Sequence, residues 1–144
     1  MACGTSIARA VGVKPLITPL TWCAVALGGA IGSVARFWLT GAVAAVTGPR
    51  FPWGTLLINV TGSLVIGLVG ALGLAPDRQP PPLDLRIFLM TGICGGFTTF
   101  SAFSLQTLEL LQRGDIQPAL GYIGGSVLLC MLAVWAGWAM GRLI

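Results

Sequence analysis

The sequence predicts an all-α integral membrane protein of four transmembrane helices, the third of them broken. Only 8% of its 144 residues are charged and 56% are hydrophobic, with a mean hydropathy of +0.92, whereas soluble domains carry about 25% charged residues. Four apolar segments, about 20–46, 53–74, 87–111 and 119–140, approach the roughly 20 residues that span a bilayer. The third contains Gly95-Gly96-Phe97-Thr98-Thr99, a run poorly suited to facing lipid. It predicts a break from Gly95 to Thr99, tolerated at membrane depth only where protein or a watery cavity satisfies the backbone.

Residues 1–19 carry Arg9 and Lys14 with no apolar run before Leu20, which predicts a loose or interfacial tail rather than a cleaved signal. Residues 20–144 then form one four-helix membrane domain. The first helix holds Gly28 and Gly32 at GxxxG spacing, repeated at Gly92/Gly96, Gly121/Gly125 and Gly137/Gly141. Small residues at that spacing let helix backbones approach closely, so the repeats predict a tight bundle. Arg36 is the one charge in this segment. It either faces a watery vestibule or snorkels to the interface beside Phe37 and Trp38.

Gly48, Pro49 and Pro52 punctuate a short turn, and Trp53 fits an interfacial anchor at the start of the second helix. Thr55, Asn59 and Ser63, four residues apart, share one face of that helix. An amide in the membrane needs a partner, so Asn59 either joins two helices or donates into a pore. Residues 75–86, with Pro80, Pro81 and Pro82, read as the longest loop. The third helix follows. Phe100 and Phe103 share one face, Ser101 and Ser104 pair at the same spacing, and the segment ends near Glu109 and Gln112. Arg113-Gly114-Asp115 makes a polar turn, and Tyr122, Ser126 and Cys130 then line one face of the fourth helix. Trp135 and Trp138 fit packing or interfacial roles.

Cys3, Cys23, Cys94 and Cys130 form no CxxC pair, and the last three read as small packing residues. The net charge of +4 comes from scattered residues with no basic face, which points to lipid headgroups and not to nucleic acid. There is no histidine, and no Walker loop, HExxH or Ser-His arrangement, so enzymatic catalysis lacks its parts. Arg9, Lys14, Arg78, Arg86 and Arg142 fall on one side, against Arg50 and Arg113 on the other. The positive-inside rule then favours cytoplasmic termini for a multi-pass protein of the plasma (inner) membrane. Four short helices enclose little volume, so a pore or carrier of this size needs an oligomer.

Asp77, Asp84 and Asp115 fall in predicted loops and Glu109 near a helix end, leaving the membrane interior with hydroxyls, an amide and aromatic rings. Rings carry a positive edge, so Phe100 and Phe103 could offer edge C–H groups to a small, hard anion. A break in the third helix would also free backbone carbonyls to hold a cation.

Three blocks in this order, residues 28–36 (GGAIGSVAR), 54–63 (GTLLINVTGS) and 95–103 (GGFTTFSAF), closely resemble the CrcB/Fluc fluoride channels. The resemblance covers about residues 27–140. It implies an antiparallel, dual-topology homodimer with two fluoride pores. Phe100 and Phe103 match the pore-lining aromatic box and Asn59 the pore amide. Thr55, Ser101, Tyr122 and Ser126 match polar pore positions, and Arg36 the vestibule arginine. Gly95 and Thr98 match the backbone-carbonyl ligands of a structural sodium ion at the dimer centre. Ala102, Gln106 and Cys130 depart from the pattern. The five-to-two charge split sits awkwardly with dual topology, which leaves pairing with an oppositely biased paralogue open.

The function expected is a passive channel that exports cytoplasmic fluoride and confers fluoride resistance. Two alternatives stand beside it. A small proton-coupled drug or cation antiporter requires a membrane carboxylate, which residues 20–46 do not supply. A structural membrane subunit predicts no flux.

Overall fold

A computed structural model describes residues 18–73 and 81–144. Most of the expected tail, with Arg9, Lys14 and Cys3, lies outside the described residues, as do Asp77, Arg78 and Pro80. Among the described residues there is no strand, and the expected four-span, all-α architecture is present. The spans are Pro19–Thr47, Trp53–Gly73, Leu83–Gln112 and Ile116–Leu143.

Helix α1 (Pro19–Thr47) starts at the N-cap Thr18, whose hydroxyl accepts from the Thr21 amide while the Thr21 side chain returns a bond to the Thr18 backbone. This reciprocal arrangement satisfies amides that a helix start leaves without partners. The helix runs past Thr40, so Arg36 sits within it. It stops at Gly48, where φ is 77°, a conformation that glycine adopts without steric cost. Helix α2 (Trp53–Gly73) follows the turn.

The third span is composite. The expected loop over 75–86 is already helical from Leu83, since Pro82 suits a helix start that has no use for its amide. Helix α3 (Leu83–Ile87) leads into a π-helical segment (Phe88–Cys94) and a short α4 (Gly95–Phe97). The chain is then extended at Thr98 (φ −78°, ψ 155°) and Thr99 (φ −153°, ψ 117°) before α5 (Phe100–Gln112) resumes. The break is therefore narrower than the expected Gly95–Thr99. The glycines Gly95 and Gly96 remain helical, and two β-branched threonines make the extended link, a conformation that suits them. Gly114, at φ 80°, turns the chain into α6 (Ile116–Leu143).

Two glycine-lined crossings hold the bundle. Where α1 meets the composite span, a Cβ on Gly28 would lie 2.7 Å from Phe88 O and 2.9 Å from Gly92 Cα, and one on Gly32 would fall on Ile93 O. Where α2 meets α6, a Cβ on Gly67 would fall on Val134 O and one on Gly137 on Leu64 O. Gly121 and Gly125 behave otherwise, with nothing within 4 Å of an added Cβ, so their GxxxG spacing makes no close approach within the chain. The three cysteines also differ: Cys94 is buried and packs as expected, whereas Cys23 is exposed and Cys130 half-buried.

Candidate functional site

The extended link at Thr98–Thr99 strips backbone groups of helical partners, and four side chains replace them. The Asn59 carboxamide donates to Thr99 O at 3.1 Å and accepts from Thr99 N at 2.8 Å. Thr99 is also the N-cap of α5, its hydroxyl accepting from Ala102 N at 3.2 Å and lying 3.1 Å from Ser101 Oγ. On the α1 side, Arg36 Nε donates to Gly96 O at 3.1 Å, and Ser33 Oγ reaches the same oxygen at 3.5 Å. Thr98 closes the preceding turn, its amide and hydroxyl both donating to Cys94 O at 2.9 Å.

This braced break separates two grooves. The first, about 370 Å³, is lined by Asn59, Ser63, Thr98, Phe100, Phe103, Ser126 and Cys130 among others. The second, about 740 Å³, is lined by Ser33, Arg36, Thr40, Thr55, Ala102 and Gln106. Thr99 lines both. The expected site residues are thus divided. Asn59, Phe100, Phe103 and Ser126 meet in the first groove, while Thr55 and Arg36 meet in the second. Ser101 is exposed and lines neither groove. Tyr122 also lines neither: it is 1% exposed, with its hydroxyl donating to Gln106 Oε1 at 3.0 Å.

An aromatic series runs from the α1–α2 turn to the first groove. Phe51 meets Tyr122 edge-on at 5.5 Å, Tyr122 meets Phe103 at 5.1 Å, and Phe103 meets Phe100 at 5.4 Å with the rings tilted by 43°. Tilted and edge-on contacts present ring hydrogens to one side. Phe100, 79% exposed, leads this series into the groove. Ser126, which lines the same groove, is 6% exposed, and its hydroxyl has no hydrogen-bond partner among the described residues. Buried hydroxyls normally find one, so this groove carries hydrogen-bonding capacity for a guest. No acidic side chain lines it.

The backbone also fits the expected cation ligands. In a continuous helix Gly95 O would accept from Thr99 N, and Thr98 O from Ala102 N. Asn59 takes the first amide and the Thr99 hydroxyl takes the second. Both carbonyls are left as hard oxygen donors of the type that alkali cations accept, whereas Gly96 O is occupied by Arg36 and Ser33. Among the described residues no cluster of His, Cys, Asp or Glu forms a metal site, so a cation here would rely on carbonyls.

Residues 23–138 match the family described as CrcB-like protein, Camphor Resistance (CrcB). The chain belongs to the CrcB family. A curated CrcB-family relative from Methylocella silvestris, named fluoride-specific ion channel FluC, is 55% identical over 111 residues, 77% of this chain and 85% of its own. One of the same name from Paramagnetospirillum magneticum is 51% identical over 125 residues, covering 87% of this chain and 98% of its own. A third, from Opitutus terrae, is 54% identical over 113 residues, 78% of this chain and 86% of its own.

Some of the CrcB site was not singled out from the sequence. Thr99, the residue shared by both grooves, was readable as an N-cap, being a threonine directly before an apolar helical run. Ser33 gave no such signal, since its contact with Gly96 O spans 63 residues.

Proposed function

We propose that this chain is a passive, fluoride-selective channel that exports cytoplasmic fluoride and so confers fluoride resistance. The observation that carries the reading is the first groove. Phe100, Phe103, Asn59 and Ser126, whose hydroxyl has no partner among the described residues, all line it, with no acidic group in the lining. The names of the CrcB-family relatives support the same substrate.

Fluoride holds its water strongly, so entry into a constricted path requires replacement donors. Asn59 spends one Nδ2 hydrogen on Thr99 O and keeps the other for an anion. The Ser126 hydroxyl and the ring edges of Phe100 and Phe103 supply further positive ends of dipoles. Uncharged donors bind weakly enough to release the ion, which conduction requires. The second groove, with Arg36, Thr55 and Gln106, serves as the wider vestibule on the far side of Thr99. Ser101 and Tyr122 contribute from behind, Ser101 through Thr99 and Tyr122 through its contact with Phe103. An inside-negative membrane drives the anion outward at about 2.3 kcal/mol per charge per 100 mV.

The working unit in this proposal is an antiparallel homodimer in the plasma (inner) membrane. The open first groove and the exposed Phe100 favour completion by a second copy. Gly95 and Thr98 carbonyls from each copy would hold a structural sodium ion at the dimer centre. When bound, the cation balances carbonyl dipoles that face one another. Pairing with an oppositely biased paralogue remains the alternative assembly, and fluoride conduction by the purified single chain would exclude an obligate one.

The cellular test is growth of a fluoride-sensitive host in millimolar-range fluoride. Expression of this chain should restore growth and lower intracellular fluoride. Equal sensitivity with the protein present in the membrane would contradict the reading, and restoration that needed an imposed proton gradient would favour the antiporter.

A further inference from the structure

Cys130 lies on α6 one helical turn beyond Ser126, and both line the first groove. It is half-buried, which distinguishes it from the exposed Cys23 and the buried Cys94. Ser126, in the same groove, is 6% exposed, and its buried hydroxyl has no hydrogen-bond partner among the described residues. Asn59, Phe100 and Phe103 line the same groove. A group attached to Cys130 would therefore take up part of the space of about 370 Å³ that these residues line.

We infer that Cys130 is a modification site within the anion path, and that a small thiol-reactive electrophile attached at its Sγ closes that path. The inference rests on the channel reading above and adds a point of chemical control to it. Thiolate is the reactive form of cysteine, and thiolate forms where water reaches the sulfur. Cys130 lines a groove open to a small reagent. With methyl methanethiosulfonate, the Cys130 thiolate attacks the sulfenyl sulfur. A mixed disulfide, Cys–S–S–CH3, forms, methanesulfinate leaves with the electron pair of the broken S–S bond, and the thiol proton passes to buffer. A dithiol reductant reverses the step by exchange.

The test uses the full-length protein in liposomes, with fluoride efflux followed before and after the reagent and adducts located by peptide mass mapping. The expected result is a methylthio adduct on Cys130, a fall in efflux of at least ten-fold, and recovery on addition of dithiothreitol. The variant C130S, compared with its own untreated rate, should lose the sensitivity. An adduct mapped to Cys130 with undiminished efflux would overturn the inference, as would an unmodified Cys130 where Cys23 is modified. Loss of efflux that persisted in C130S would assign it to another cysteine and overturn it equally. Failure of the channel reading is seen separately, as absence of efflux before any reagent is added.

Discussion

The carboxamide of Asn59 substitutes for a missing stretch of helix at Thr99, donating to its carbonyl at 3.1 Å and accepting from its amide at 2.8 Å. One side chain thereby satisfies both backbone groups of the residue that links the two halves of the third span. Joining helices and serving the groove are then not competing roles for Asn59. The bond that holds the break also fixes the direction of the remaining Nδ2 hydrogen.

Asn59→Ala should leave both Thr99 backbone groups without partners in an apolar setting, at about 1–3 kcal/mol each. The expected outcome is a lower melting temperature in detergent and a fluoride flux reduced at least ten-fold. Asn59→Asp keeps an acceptor for the Thr99 amide but sets an oxygen against the Thr99 carbonyl and brings negative charge into the groove. Its flux should fall further than its stability. Paired measurements of melting and flux for both variants check this.

Phe100→Ile should separate function from folding. Phe100 is 79% exposed, so its loss removes little packing within the chain and the change in stability should stay within about 0.5 kcal/mol. The flux should nevertheless drop at least ten-fold, because isoleucine has no ring edge to offer an anion. A conducting Phe100→Ile channel would remove this ring from the permeation path.

Arg36→Lys, compared with Arg36→Gln, distinguishes two roles for the cation in α1. The Arg36 guanidinium binds Gly96 O through Nε, a lateral contact that an ammonium at the end of a flexible stem does not reproduce. If Arg36 acts by positioning the break, the lysine variant should be as impaired as the glutamine variant in both stability and flux. Rescue by lysine would instead assign Arg36 a purely electrostatic part in the vestibule, and the salt dependence of flux would show it.

Gly32→Ala places a methyl group on the Ile93 carbonyl oxygen and 2.8 Å from Phe97 N. Overpacking of this kind costs about 1–3 kcal/mol, so the melting temperature should fall. Gly124→Ala, with nothing within 4 Å of the new Cβ, should hold or raise it through better helix propensity.

The spans were legible because hydropathy and length act locally: the start at Trp53 and the stop at Gln112 follow from the residues there. The aromatic pair and the Asn59 face were legible for the same reason, since spacing alone sets a helix face. What the residues did not reveal depends on contacts distant in sequence. The position of the break was drawn toward Gly95 and Gly96, yet both stay helical, and Gly96 serves close packing, with an added Cβ 3.0 Å from Gly29 Cα. The extended link fell to Thr98 and Thr99 because Asn59, 40 residues away, is placed to satisfy it. Likewise no local pattern separates Gly137, which touches Leu64, from Gly121, whose added Cβ would meet nothing.

The most direct test of anion passage through neutral donors is fluoride efflux from liposomes containing this chain alone. A fluoride-selective electrode follows release on addition of a potassium ionophore, with chloride-loaded vesicles as the control. The account predicts rapid fluoride release that needs no proton gradient, with chloride retained. Fluoride held as firmly as in protein-free vesicles, or chloride released alongside it, would contradict it.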